Sequence, residues 1–281
     1  MIFTKYNTLE SFGADTLEIL LENEVQNNFP ISFIYNEQGL DTSQWLMTSV
    51  KDDTGGVILT AVCTPPFNIV MFETRNQPND PAVELLSNEL KSMGVTLPGV
   101  LAEQKLANRF AAIFAGPNLY NRHLSEIIMR LDKINAIPKA HGRCRSLREE
   151  DLFFVPFWER SFSEECGVEV YDILTNLKNA EKRLGKDIHF IWEDGHPVSQ
   201  TYNVRNTQNG AGISGVYTPP QYRGKGYASS VVAEVSQFLL ERGNKFCFLF
   251  ADATNSTSCS IYRKIGYNDL CIFDEIKFNN E

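Results

Sequence analysis

Residues 211–243 read AGISGVYTPPQYRGKGYASSVVAEVSQFLLERG. An apolar, strand-like run ends at Tyr217 and two prolines stop it. A bare basic turn, Arg223-Gly224-Lys225-Gly226, then leads into an amphipathic run. Val231, Val232, Val235, Phe238 and Leu239 fall on one helical face, and Gly243 closes the helix. The order is therefore strand, glycine turn, helix. The first turn of a helix presents N–H groups that have no partner inside it, and the helix dipole adds partial positive charge. Glycines let an anion approach the backbone, and Arg223 and Lys225 add charge. The stretch predicts a phosphate or pyrophosphate site. A P-loop is excluded because GxxxxGK[ST] is absent. GxGxxG fails too, because Ser229 stands where its last glycine would be. The preceding strand is third in an antiparallel meander, which a dinucleotide-binding βαβ unit does not allow.

The surroundings predict a mixed α+β chain. Residues 187–193, 197–205 and 211–217 form the meander, with turns at Asp194-Gly195 and at 206–210. Residues 245–252 are apolar on both alternations and read as a strand covered on both faces. A short helix over 256–265 stops at Gly266, and the last strand follows. Upstream, Asp151 is expected to cap a helix whose apolar face includes Leu152, Val155, Phe157 and Trp158, and 171–184 is helical. The first half predicts helices over 9–24, 81–93 and 101–115. Strands are expected within 44–75, around a DDTGG turn, and over 127–134. Residues 134–151 mix Pro, Gly and bases without apolar period. The boundary is placed there, giving an N-terminal lobe at 1–138 and a second domain at 139–281. VCTPP at 62–66 recurs as VYTPP at 216–220. A duplicated fold and chance both explain so short an echo.

Composition narrows the classes of function. The net charge of −9 argues against a general nucleic-acid binder. No apolar run is long enough to cross a bilayer, and the N-terminus carries acids where a signal peptide carries bases. A soluble, cytoplasmic protein without membrane partners is expected. None of the six cysteines forms a CxxC pair, and the four histidines show no ligand spacing with them, so no metal site is expected.

Gln221-Tyr222-Arg223-Gly224-Lys225-Gly226 resembles the (Q/R)xxGx(G/A) signature of the GNAT superfamily of N-acetyltransferases. The likeness extends over roughly 140–270: the strand before the signature, the long helix, the strand FCFLFAD, then Asn255 and IYRKIGY. It implies a mostly antiparallel sheet flanked by helices in the C-terminal domain, with acetyl-CoA as cosubstrate and an amine-bearing acceptor. Val216 and Tyr217, with Thr218 beside them, would pair with the pantetheine arm. Gln221, Arg223, Gly224, Lys225, Gly226, Tyr227, Ala228 and Ser229 would cradle the pyrophosphate. Asn255 would bond the cofactor arm, and Tyr262, seven residues on, would protonate the departing thiolate. Each has a plainer reading, in which Asn255 shapes a turn and Tyr262 packs on a helix. The N-terminal half lacks the signature, so a GNAT-like lobe there would have lost cofactor binding and would wall the acceptor site. An unrelated α/β domain is the alternative.

The general base is less defined. The strand 211–217 has no carboxylate, and the residue five before Asn255 is Phe250, so both of the family's usual places are empty. Candidates elsewhere are Glu159, Glu164 and Glu165 in the WERSFSEE segment and Glu193 at the end of a strand, with Glu165 and Glu193 taken as the catalytic candidates. They can also be a solvated face. The reading is an N-acetyltransferase working by direct attack. The alternative is a non-catalytic acyl-CoA-binding sensor. The acceptor, the acyl chain and the oligomeric state stay open.

Overall fold

The structure is a computed structural model and describes residues 1–36, 41–74 and 78–279. They form two compact units, Met1–Ile128 with Leu270–Glu281, and Met129–Asp269. The chain runs β1 (Ile2–Tyr6), α1 (Leu9–Leu21), α2 (Asn28–Asn36), β2 (Leu46–Lys51), β3 (Val57–Cys63), β4 (Ile69–Glu73), α3 (Asp80–Ser92), β5 (Gly99–Glu103), α4 (Gln104–Phe114) and β6 (Tyr120–Leu131). It continues as β7 (Arg143–Ser146), a 3-10 turn (Glu149–Phe153), α5 (Val155–Cys166), α6 (Ile173–Glu181), β8 (His189–Glu193), β9 (Pro197–Val204), β10 (Gly210–Tyr217), α7 (Tyr227–Glu241), β11 (Phe246–Asp252), α8 (Ser256–Ile265) and β12 (Asn268–Phe278). Strand, two helices, three strands, helix, strand, helix, strand thus occurs twice. The fold is the expected α+β, with mostly antiparallel sheets flanked by helices.

In the first unit the strand order is β1-β2-β3-β4-β5-β12-β6. Its β4–β5 pair is parallel, whereas β12 lies antiparallel to β5. The Asp52 turn between β2 and β3 is held by Asp52 Oδ1, which accepts from the N–H of Thr54 at 2.9 Å and of Gly56 at 3.0 Å. The core joins β2–β5, α3 and α4 and includes Ile276 and Phe278 of β12. In the second unit the order is β11-β10-β9-β8-β7, antiparallel except for β10–β11. Val231, Val232, Val235 and Leu239 of α7 are buried as their spacing predicts, and Phe238 meets Phe190 of β8 edge-on at 5.3 Å.

Several expectations change. The boundary expected near 138 is replaced by crossings at 128/129 and 269/270, because the chain's last strand joins the first unit. Residues 99–103 are a strand rather than the start of a helix, since Leu101 and Ala102 ladder with Glu275 and Asp274 of β12. β6 begins at Tyr120, earlier than expected, and β7 lies inside the stretch read as linker. Strand β1 and helix α2 carry too little apolar period to be seen in the sequence. Arg75, within the stretch read as strands, lies outside the described residues. Asp151 does not cap α5. It is buried in the 3-10 turn, where it accepts from Arg148 N at 2.8 Å and from both terminal nitrogens of Arg145. The TPP echo ends β3 in one half and β10 in the other. These are the second and third meander strands, so the pentapeptide does not mark the repeat that the elements show.

Candidate active site

The site begins with a defect in a strand. β10 and β11 run parallel from Gly210↔Phe246 to Ile213↔Leu249. Between Ser214 and Tyr217 the register of β10 on β9 shifts in a bulge. Gly215 sits there at φ +62°, and a Cβ on it would lie 1.9 Å from the Tyr202 ring, so glycine is required. Past the bulge β10 no longer ladders with β11, and its backbone at Val216 and Tyr217 edges a cleft of about 560 Å³. Thr218 is tied to β9 by a 2.8 Å bond between its hydroxyl and that of Ser199.

One end of the cleft is the glycine turn. Gly224 and Gly226 have φ of +77° and +80°, and no atom of the described residues lies within 4 Å of where a Cβ on Gly224 would sit. Helix α7 starts at Tyr227, and Ser230 N is its first amide to bond back, to Gly226 O at 3.0 Å. The amides of Tyr227, Ala228 and Ser229 therefore have no partner within the helix. Among the described residues no side chain caps this end, and no acid lies in its first turn. The Tyr227 hydroxyl donates to Asp194 Oδ2 at 2.5 Å. The bare amides and the open glycine surface fit a pyrophosphate.

The first unit handles the same place differently. Its β4–β5 ladder is also short, covering Ile69↔Val100 and Val70↔Leu101. There Asn79 caps α3 by accepting from Ala82 N at 3.1 Å, and Asp80 lies in the first turn. The Glu73 carboxylate accepts from Asn79 N at 2.6 Å, and Arg109 binds both Glu73 and Asp80. A cavity of about 190 Å³ remains. The Asn79 cap and the Glu73 carboxylate occupy a helix start that the second unit leaves bare.

The structure brings together Val216, Tyr217, Thr218, Arg223, Gly224, Gly226, Tyr227, Ala228, Ser229, Asn255, Tyr262 and Glu165 around one cleft. Asn255 caps α8, its Oδ1 accepting from Ser258 N at 3.0 Å. Tyr262 is buried on α8. Desolvation first, then the thiols of Cys166 and Cys259, push its pKa above the tyrosine range. It keeps its proton at working pH and is a hydrogen-bond donor. Arg223 folds back over the end of β10: Nε donates to Thr218 O at 2.8 Å, and Nη2 donates to both Glu165 oxygens at 2.9 and 2.7 Å.

Three expected residues lie elsewhere. Gln221 and Lys225 are exposed on the turn and do not line the cleft. Glu193 ends β8, bound by Arg145 at 2.5 Å and Arg143 at 2.8 Å, and lines a separate shallow depression beside His141. Those two guanidinium groups hold its pKa down to about 2, which leaves it no capacity as a base near neutrality. Glu164 pairs with Arg160 on the outer face of α5. Glu159 is buried beside Arg183, and desolvation outweighs the arginine to raise its pKa to about 7. His189 and Gln200 are also fully buried, and among the described residues neither the His189 ring nitrogens nor the Gln200 amide atoms meet a partner within bonding geometry. The sequence reading missed the Gly215 bulge and Cys166, which lines the cleft with Tyr262. A glycine inside a strand pattern was the available signal for the bulge; Cys166 had none.

Residues 196–275 match the model of the FR47-like protein family. No protein of curated function matches the sequence. Among solved structures, a Drosophila protein is similar over 99% of this chain and 99% of its own, at 14% identity and a TM-score of 0.69. A GCN5-related N-acetyltransferase from Sphaerobacter thermophilus is similar over 99% of this chain and 96% of its own, at 15% identity and a TM-score of 0.68. A tandem GNAT protein from the clavulanic acid biosynthesis pathway is similar over 100% of this chain and 99% of its own, at 10% identity and a TM-score of 0.59. The chain has the GNAT acetyltransferase fold, and the order of its elements carries that fold twice.

Proposed function

We propose that the chain is an acetyl-CoA-dependent N-acetyltransferase with one cofactor site, in the second unit. The observation that carries this reading is the cleft past the β10 bulge. It joins an unladdered strand edge at Val216 and Tyr217 to bare helix-start amides at Tyr227, Ala228 and Ser229. An extended amide-containing arm suits the first, and a pyrophosphate suits the second.

In the transfer, the acceptor nitrogen bonds to the thioester carbon, the carbon–sulfur bond breaks, and the nitrogen loses a proton. Tyr262 O–H donates a hydrogen bond to the sulfur as negative charge develops there. Its raised pKa opposes complete transfer, so its main contribution is electrostatic, made in a dry site. Glu165 is the one carboxylate among the described residues lining the cleft, and it accepts the acceptor's proton or holds its ammonium form. The missing carboxylates on β10 and at Phe250 favour a second reading, an acyl-CoA-binding sensor.

Calorimetric titration of coenzyme A, with Gly226→Asp alongside, tests the site. One site per chain, lost in the variant, is expected; no binding at millimolar ligand would refute the reading. Thiol release from acetyl-CoA across a panel of primary amines separates enzyme from sensor.

A further inference from the structure

The Arg223–Glu165 pair does more than shape the cleft. Arg223 stands at the glycine turn, where the cofactor's phosphates are placed, yet its Nη2 is committed to both oxygens of Glu165. Nε is held by Thr218 O, and the guanidinium lies 5.8 Å from the centre of the Tyr217 ring. Both partners are 46% exposed, so the pair is screened, weak and exchangeable rather than locked. Nε and Nη2 are both engaged, and a diphosphate, which carries more charge than a carboxylate, competes with Glu165 for Nη2. Glu165 lies in the last turn of α5, and Phe162, Cys166 and Tyr262 line the same cleft. A carboxylate released there has lost its cation and attracts another.

Resting on the reading above, we infer that Glu165 is an internal stand-in for the cofactor phosphate. It holds Arg223 in the ligand-free chain. The pyrophosphate takes the guanidinium and frees Glu165 to bind a cationic acceptor amine. Cofactor binding thereby exposes the Glu165 carboxylate, and the acceptor enters as its ammonium ion.

The test is a double-mutant cycle in full-length protein. Coenzyme A is titrated into wild type, Glu165→Gln, Arg223→Gln and the double variant, each checked for unchanged melting temperature. Removing the internal competitor should tighten coenzyme A about two- to fivefold, the span expected for an exposed ion pair. Arg223→Gln should weaken binding, and Glu165→Gln should then add nothing. Unchanged or weaker binding by Glu165→Gln overturns the inference, as does an equal gain in the Arg223→Gln background. Failure of wild type to bind coenzyme A would instead sink the acetyltransferase reading itself. In a second arm, 1,4-diaminobutane is followed by NMR line broadening. Broadening is expected only with coenzyme A present and not in Glu165→Gln. Broadening without coenzyme A, broadening retained in the variant, or none in any sample overturns the cofactor-dependent capture of a cation.

Discussion

Tyr262 and His189 show how burial sets the chemistry of single residues. Tyr262 is held protonated by desolvation, so removing its hydroxyl should cost turnover and little else. Tyr262→Phe is expected to lower kcat by about 10²-fold, with coenzyme A affinity within twofold of wild type by calorimetry; normal turnover with an identified acceptor would refute the role. His189 is driven the other way: burial first, then the Arg183 charge, depress its pKa from 6.5 to about 3. Its other close neighbours are Gln200, on the opposing strand, and the Tyr202 ring at 5.3 Å. A histidine whose folded pKa lies below its unfolded value binds fewer protons when folded. Its contribution to stability is whole above about 6.5 and is lost as pH falls toward 3. His189→Gln should therefore flatten the fall in melting temperature between pH 6.5 and pH 4, and an unchanged slope would assign that acid sensitivity elsewhere. Glu159 carries the opposite sign. Its folded pKa of about 7 exceeds the ordinary 4.5, so its stabilising share is present below 4.5 and lost as pH rises through 7.

At the scale of elements, the site is two local irregularities in otherwise regular structure. The β10 bulge separates two parallel strands, and the glycine turn leaves α7 uncapped. Gly215→Ala meets both a left-handed backbone and the Tyr202 ring. It should cost about 1–3 kcal/mol in chemical denaturation and close the cleft, weakening coenzyme A; neutral behaviour in both would show that the bulge does not open it. The turn and the helix were legible, because glycines, bases and a 3.6-residue period stand together at 223–239. The bulge was harder to read, since AGISGVY looks like an uninterrupted strand until its partners on β9 and β11 are known.

For the whole molecule, the chain's end matters most. Asp274 on β12 is fully buried within the first unit, where it accepts from Ser125 Oγ at 2.8 Å, Asn108 Nδ2 at 3.2 Å and Gln104 Nε2 at 3.3 Å and forms an ion pair with Arg122 Nε at 3.0 Å. Asp274→Ala strands the buried donors among these and should destabilise that unit by about 1–3 kcal/mol. Hydrogen exchange should quicken in β2–β5 while β8–β10 stay protected. Uniform quickening, or none, would contradict the assignment of β12 to the first unit. The pairing was invisible in the sequence because β5 and β12 are separated by more than 160 residues and neither carries a mark of its partner.

The sequence by itself determined the strand–turn–helix at 211–243, the apolar β11, the short helix α8 with Tyr262 on it, and the α+β class. Each of these rests on local periodicity, glycine conformation or short spacing. Tertiary structure decided the rest. It placed Glu193 against Arg143 and Arg145 rather than at the cleft, Glu165 on Arg223, and the last strand in the first unit. Those outcomes depend on which charges and strand edges meet across long stretches of chain, and no local pattern encodes them.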